Sequence, residues 1–214
     1  MQLNWPMWEF IHWFLIIERL KEADWIIEVV VERLDIKRQV FKRILPHIKP
    51  HAIVSSNTSG LSLSDMMEDM PQDLRKRFLV THFFNPPRYM HLLEVIPGQE
   101  TLPEILNGMV AIGENLLGKG IVYGKDTPNF VANRIGVYSM LLALQLTKDM
   151  HLTVEEVDKL TGPAIGHAKS ATFRTADLVG LDTLAHVAQT AYEKCTEDES
   201  RNMFKIPEIL NKML

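Results

Sequence analysis

Short apolar runs alternate with helix-period segments from Ala23 to about Lys125, and beyond that point only the helix period remains. ADWIIEVVVE (23–32) is a near-continuous run rich in Ile and Val, which predicts a parallel strand covered on both faces. In LDIKRQVFKRILPHIK (34–49), Ile36, Val40, Ile44 and Ile48 recur every four residues with bases between them, the spacing of an amphipathic helix. HAIVSSNTSG (51–60) predicts a short strand running into a polar loop. SLSDMMEDMPQDLRKR (62–77) predicts a weak helix limited by Pro71, and RFLVTHFF (77–84) another strand. After the Asn85-Pro86-Pro87 break, HLLEVIPG (91–98) reads as a strand, TLPEILNGMVAIGENLLGKG (101–120) as a helix with a glycine stop, and IVYG (121–124) as a last strand. Strands joined by crossover helices imply an α/β, Rossmann-like parallel sheet.

At KDTPNF (125–130) the pattern changes. Asp126 and Thr127 are expected to cap a helix whose first turn takes Pro128. FVANRIGVYSMLLALQLTKDM (130–150) is long and apolar on more than one face, TVEEVDKL (153–160) opens with a capping box from Thr153 to Glu156, and two further helical stretches follow. The chain therefore divides into an atypical apolar leader (1–22), a sheet domain (23–125) and an all-α domain (126–214). Ligands tend to sit in clefts between domains.

Charge and composition narrow the function classes. With 23 basic against 27 acidic residues and a net charge of −4, the chain lacks the positive surplus that neutralises a phosphate backbone, so no nucleic-acid partner is expected. A single cysteine, Cys195, excludes an internal disulfide and a multi-thiolate zinc site and fits a reducing compartment, with cytoplasm the default. His12, His47, His51, His91, His151, His167 and His186 show no metal-ligand spacing, and no metal is expected. The apolar run from Phe10 to Ile17, interrupted by His12, falls short of the about 20 residues a membrane span needs. It lacks the marks of a signal or transit peptide. Met1–Leu20, with three of the four tryptophans, reads as an amphipathic helix docked on the body or a partner, with a membrane-surface contact or a non-native start as alternatives. The eleven methionines read as core filler, and the charged stretches Arg33–Arg43 and Lys194–Arg201 as solvated helix surface.

In an open parallel sheet, ligands gather outside the carboxyl ends of the strands. Ser55–Ser59 and Thr81–Asn85 stand at or just after such ends, and Asn133 opens the first helix of the second domain. A histidine there, with one ring nitrogen held by a carboxylate, would serve as a general base near neutral pH. His82 is the candidate base and Glu94 its orienter, provided that the Pro86-Pro87 break turns the chain back and lays the two strands side by side. An unpaired carboxylate in so apolar a strand as HLLEVIPG would be costly, which marks Glu94.

VVVERLDIK, SNTSGLSLSD, THFFNPPRYMHLLEVI, KDTPNFVANR and TADLVGLDT, in this order, resemble the motif series of the L-3-hydroxyacyl-CoA dehydrogenase family. The likeness runs from Ala23 to Leu184, and HFFNP followed by LLEVI is its most specific part. TGPAIGHAKSATFRTADLVGLDTL is most similar to the long members in which the dehydrogenase is fused to an enoyl-CoA hydratase. The resemblance implies a Rossmann-like NAD-binding domain followed by a helical C-terminal domain. It further implies NAD-dependent oxidation of (S)-3-hydroxyacyl-CoA to 3-oxoacyl-CoA in fatty-acid β-oxidation. Carried over by motif, His82 is the base, Glu94 orients it, and Ser59 and Asn133 surround the reacting oxygen of the substrate. Glu32, Lys37, Ser59 and Asn85 are the implied cofactor residues at the nicotinamide end. An acyl-CoA is the implied partner, in a homo-oligomer or within a larger fused β-oxidation protein.

The family opens with a strand, a G-x-G-x-x-G turn and a helix whose N-terminus receives the pyrophosphate. This sequence has no glycine before Gly60, and GKGIVYG (118–124) has the wrong spacing and lies between a helix and a strand, the reverse of the required order. The N-terminal βαβ unit is therefore expected to be missing, leaving 23–125 as a remnant of the cofactor domain. LNKML also stops before the family's glycine-aromatic tail, Asn129 stands where the DTPGF motif has glycine, and HAKSATFR replaces the PMGPFEL stretch of the short enzymes. The alternative is a truncated, non-catalytic remnant that acts as an acyl-CoA-binding or subunit-interaction module.

Overall fold

In a computed structural model of the chain, residues 17–213 are described, so most of the leader, residues 1–16, lies outside the described part. The described residues form two compact units that divide between Asp126 and Thr127.

The first unit is a five-stranded sheet, in the order β1 (Trp25–Glu28), β2 (Ile53–Ser56), β3 (Phe78–Phe83), β4 (Leu92–Pro97) and β5 (Gly120–Tyr123). Its helices are α1 (Leu34–Ile44), α2 (Leu63–Met67), α3 (Gln72–Arg75) and α4 (Pro103–Ala111). Every neighbouring pair is parallel except β3 and β4, which run antiparallel. The link from Phe84 to His91 is too short for the dozen or more residues of a parallel crossover, so the chain has to turn back on itself. Leu79, Leu93, Val95 and Met109 form a buried core on one side of the sheet, and Met66 and Met67 are buried as core filler.

Several elements differ from the sequence reading. The run 23–32 is a strand only as far as Glu28, and Val29 and Val31 are exposed, because Glu28 accepts the Val30 amide at 2.6 Å and bends the chain out of the sheet. In α1 the buried positions are Lys37, Phe41 and Ile44, with Ile36 and Val40 only half-buried, so the inner face is turned toward a lysine. Lys37 accordingly departs from the solvated surface expected of Arg33–Arg43. Pro71 divides the predicted weak helix into α2 and α3 by standing at the N-cap of the second. Beyond α4 the helix widens into a π-turn over Ile112–Leu116 and stops at Gly118, whose φ of 63° is open to glycine at little cost.

The helix expected to open at Asp126 and Thr127 starts later, with Val131 at its N-cap. The second unit's first helix, α5 (Ala132–Asp149), begins five residues after Thr127, behind a turn in which Asn129 and Phe130 have φ of 62° and 47°. Asn129 stands in the left-handed region that glycine enters freely and asparagine tolerates, with its side-chain amide donating to the Val187 carbonyl at 2.8 Å. Asp126 instead receives the amides of Leu63 and Ser64 at 2.8 and 3.0 Å, at the N-terminus of α2.

After α5 come α6 (Val154–Thr161), α7 (Phe173–Val179), α8 (Leu181–Lys194) and α9 (Glu208–Met213). Thr153 and Glu156 form the predicted capping box of α6. Gly180, at φ 96°, separates α7 from α8. The core of this unit gathers Val137, Leu141, Leu184, Phe204, Leu210 and a stripe of alanines on α8. Lys194–Arg201 is largely turn rather than helix surface, and the half-buried Asp198 within it is ion-paired with Arg134. No helix among the described residues is long and apolar enough to cross a membrane.

Candidate active site

The carboxyl ends of β1, β2 and β3 bring two polar clusters to one edge of the first unit. On β3, the antiparallel register sets His82 directly opposite Glu94 of β4. A β-strand points alternate side chains to one face, so opposite partners lie together, and His82 Nδ1 meets Glu94 Oε2 at 2.7 Å. Glu94 is completely buried and His82 is 5% exposed. A buried carboxylate is stable only if paired and hydrogen-bonded, so Glu94 holds the proton on Nδ1. In the tautomer with its proton on Nδ1, the second ring nitrogen, Nε2, is the one that carries a lone pair. The Phe84 ring stands 4.4 Å from the histidine ring and limits its rotation.

Beside this pair, the Asn57 side-chain oxygen accepts the Phe83 amide at 2.9 Å and ties the loop after β2 to the end of β3. A chain of polar side chains crosses beneath: the Trp25 indole donates to Ser55, which pairs with Thr81 at 2.8 Å.

The second cluster is centred on β1 and α1. The Lys37 ammonium, 1% exposed, donates to both oxygens of Glu28 at 2.8 and 3.0 Å and lies 3.2 Å from Glu32. Glu28 also accepts the Ser56 hydroxyl at 2.5 Å. Glu32 reaches across to the loop after β2, where it accepts the Thr58 hydroxyl at 2.5 Å, the Ser59 amide at 2.9 Å and the Gly60 amide at 3.3 Å. Burial pushes the Glu32 carboxyl up, but the Thr58 hydroxyl, the Lys37 charge and the Ser59 amide together outweigh it and hold the group below the usual carboxylate range.

Of the residues singled out from sequence, His82 and Glu94 are therefore in direct contact, and Glu32, Lys37 and Ser59 share the second cluster. Asn85 is exposed at the end of β3, where its peptide bond to Pro86 is cis. Asn133 is the second residue of α5, in the other unit. Glu28 was not singled out, although it carried the same signal as Glu94: a carboxylate inside a near-continuous apolar run. Among the described residues, no group of three His, Cys, Asp or Glu side chains is arranged to hold a metal.

Comparison with known proteins gives the family. Residues 7–127 match the model described as "3-hydroxyacyl-CoA dehydrogenase, NAD binding domain", and residues 130–214 match "3-hydroxyacyl-CoA dehydrogenase, C-terminal domain". The chain is 56% identical over 197 residues to a probable 3-hydroxyacyl-CoA dehydrogenase of Bacillus subtilis, covering 92% of this chain and 25% of that protein. It is 34% identical to a putative fatty acid oxidation complex trifunctional enzyme of Rickettsia felis, covering 92% of this chain and 28% of that one. These matches thus span about a quarter of either relative's length. Among solved structures, M. tuberculosis FadB2 superposes with a TM-score of 0.81 at 29% identity, covering 92% of this chain and 67% of that one. Two consecutive family models covering nearly the whole sequence place the chain in the 3-hydroxyacyl-CoA dehydrogenase family.

Proposed function

We propose that the chain carries the acid-base centre and the nicotinamide end of an NAD-dependent (S)-3-hydroxyacyl-CoA dehydrogenase of fatty-acid β-oxidation. The observation that carries this reading is the buried His82–Glu94 pair at the strand ends, 2.7 Å apart. His82 Nε2 accepts the 3-hydroxyl proton, and Glu94 stabilises the imidazolium that results. Ser59 and Asn133 are assigned as donors to the same substrate oxygen on the likeness of their motifs. Bound NAD supplies the acceptor for the hydride that leaves C3, since no side chain can take it.

The residues at the strand ends fit one end of that cofactor. Glu32, with its side chain 36% exposed, offers a carboxylate acceptor of the kind that ribose hydroxyls require, beside the half-buried Ser59 and the exposed Asn85. Lys37, enclosed by Glu28, Glu32 and the Val30 carbonyl, acts through Glu32 rather than by contact. A pyrophosphate calls for backbone amides at a glycine turn, and the described residues hold no glycine before Gly60. Within the cell, the chain is assigned to a larger fused β-oxidation protein or a homo-oligomer, in keeping with the trifunctional name of the R. felis relative. Its single, buried thiol suits the cytoplasm.

Loss of NADH absorbance with acetoacetyl-CoA tests the reading. Turnover that His82→Ala lowers by about 10²- to 10⁴-fold supports it. A chain that reduces no acetoacetyl-CoA and binds no NADH at roughly millimolar concentration, where even about 4 kcal/mol of binding free energy would register, overturns it. Binding of acetoacetyl-CoA without turnover would favour the non-catalytic binding module instead.

A further inference from the structure

Glu28 is the buried centre of the second cluster, and no step of the proposed reaction uses it. Its side chain is 1% exposed, yet each carboxylate oxygen has two donors. Oε1 takes the Val30 amide at 2.6 Å and the Lys37 ammonium at 2.8 Å, while Oε2 takes the Ser56 hydroxyl at 2.5 Å and the same ammonium at 3.0 Å. Lys37 completes its bonding with Glu32 at 3.2 Å and the Val30 carbonyl at 3.3 Å. One carboxylate suffices to compensate a buried ammonium, and here two stand around it. The cluster Glu28, Lys37 and Glu32 carries a net charge of −1 when all three are ionised, and Glu32 presents that charge at the strand ends.

The sign of this charge matters because the nicotinamide ring is cationic when oxidised and neutral when reduced. On the reading given above, the reacting ring carbon lies beside His82. The register joins Glu28 to Ser56 and Ser56 to Val80, two residues before His82 on a strand two places from β1. At ordinary strand spacing and rise, the Glu28 and His82 backbones then lie roughly 10–12 Å apart, which sets the scale of the separation between the cluster and the reacting centre. A unit charge at that separation shifts the affinity for a cation by about two- to tenfold, depending on how much water screens it.

We propose that Glu28 is a positioning residue which, through Lys37 and Glu32, biases the site toward the oxidised cofactor. The inference rests on the proposed dehydrogenase reading. The Glu94 carboxylate is a second anion nearby, and because it is common to every variant compared, it cancels.

The test is direct binding of NAD⁺ by calorimetry and of NADH by fluorescence, for the wild type, Glu28→Gln and Glu32→Gln. Each substitution removes one negative charge while keeping side-chain size. The ratio of Kd for NAD⁺ to Kd for NADH is expected to rise about two- to tenfold in both variants. A role confined to holding the fold would weaken both redox states by one common factor, and an unchanged ratio overturns the proposal. If Glu28→Gln does not fold, Glu32→Gln, a half-exposed position, decides by the same ratio. Wild-type protein that binds neither form overturns the dehydrogenase reading and this inference together, whereas binding with an unchanged ratio overturns this inference and leaves that reading standing.

Discussion

Glu94 shows what a single buried charge can specify. Its carboxylate has no exposed surface and points at a ring nitrogen, so it determines which tautomer of His82 is stable. Glu94→Gln keeps the volume but substitutes an amide that can donate to Nδ1, which moves the ring proton to Nε2 and removes the basic lone pair. On the proposed mechanism, kcat is expected to fall by about 10²- to 10⁴-fold with KM for acetoacetyl-CoA little changed. Steady-state kinetics check this, and an unaltered kcat would remove Glu94 from the mechanism. The pair was legible from sequence because a carboxylate in an apolar strand is costly and a short Pro-Pro link suggested adjacent strands. Lys37 and Glu28 were harder to read. A lysine between helix-spaced apolar residues looks like solvated surface, and only the three-dimensional proximity of β1 and α1 shows that its ammonium is enclosed. Glu28 lay in a run whose strand character ended at the residue itself.

Elements reveal the limits of local rules in the same way. Asp126 has the residue type and the position of an N-cap for the helix that follows it, yet it caps a helix 63 residues earlier in the chain. Its Oδ2 also accepts from the Ser64 hydroxyl at 2.9 Å, so one carboxylate satisfies several groups at the start of α2. That helix has only five residues, of which Leu63, Met66 and Met67 are buried. So short a helix is not stable by propensity, and depends on its caps and its packing. Asp126→Ala is therefore expected to destabilise the first unit by about 1–3 kcal/mol, and Asp126→Asn, which keeps one acceptor, by less. Denaturant titration followed by tryptophan fluorescence measures both, since all four tryptophans precede residue 126. Equal stability of Asp126→Ala and wild type would deny the cap its role. The N-terminal capping box of α6, by contrast, was legible because both its partners lie within three residues of each other.

Over the whole molecule, acid acts on the two units through different carboxylates. Glu32 in the sheet unit and Asp198 in the helical unit are both held below the usual carboxylate range. For Glu32 the raising effect of burial is outweighed by Thr58, Lys37 and Ser59; for Asp198 the hydrogen bond from Arg134 is the leading cause. A carboxyl whose folded pKa lies below its unfolded value contributes stability at neutral pH, where both states are ionised. That contribution is lost as the pH falls from about 4 through the folded value, because the unfolded chain takes up the proton first. Neither group should change stability between roughly pH 5 and 7, a range lying above the unfolded carboxylate values. Below that, fluorescence reports the tryptophan-bearing unit, and far-ultraviolet circular dichroism is weighted toward the helical one. Glu32→Gln should flatten the acid loss seen by fluorescence, and Asp198→Asn the loss seen by circular dichroism, each leaving the other probe's curve in place. If either substitution flattens both curves equally, the two units unfold as one cooperative body. The division between Asp126 and Thr127 would then be a feature of packing without consequence for stability.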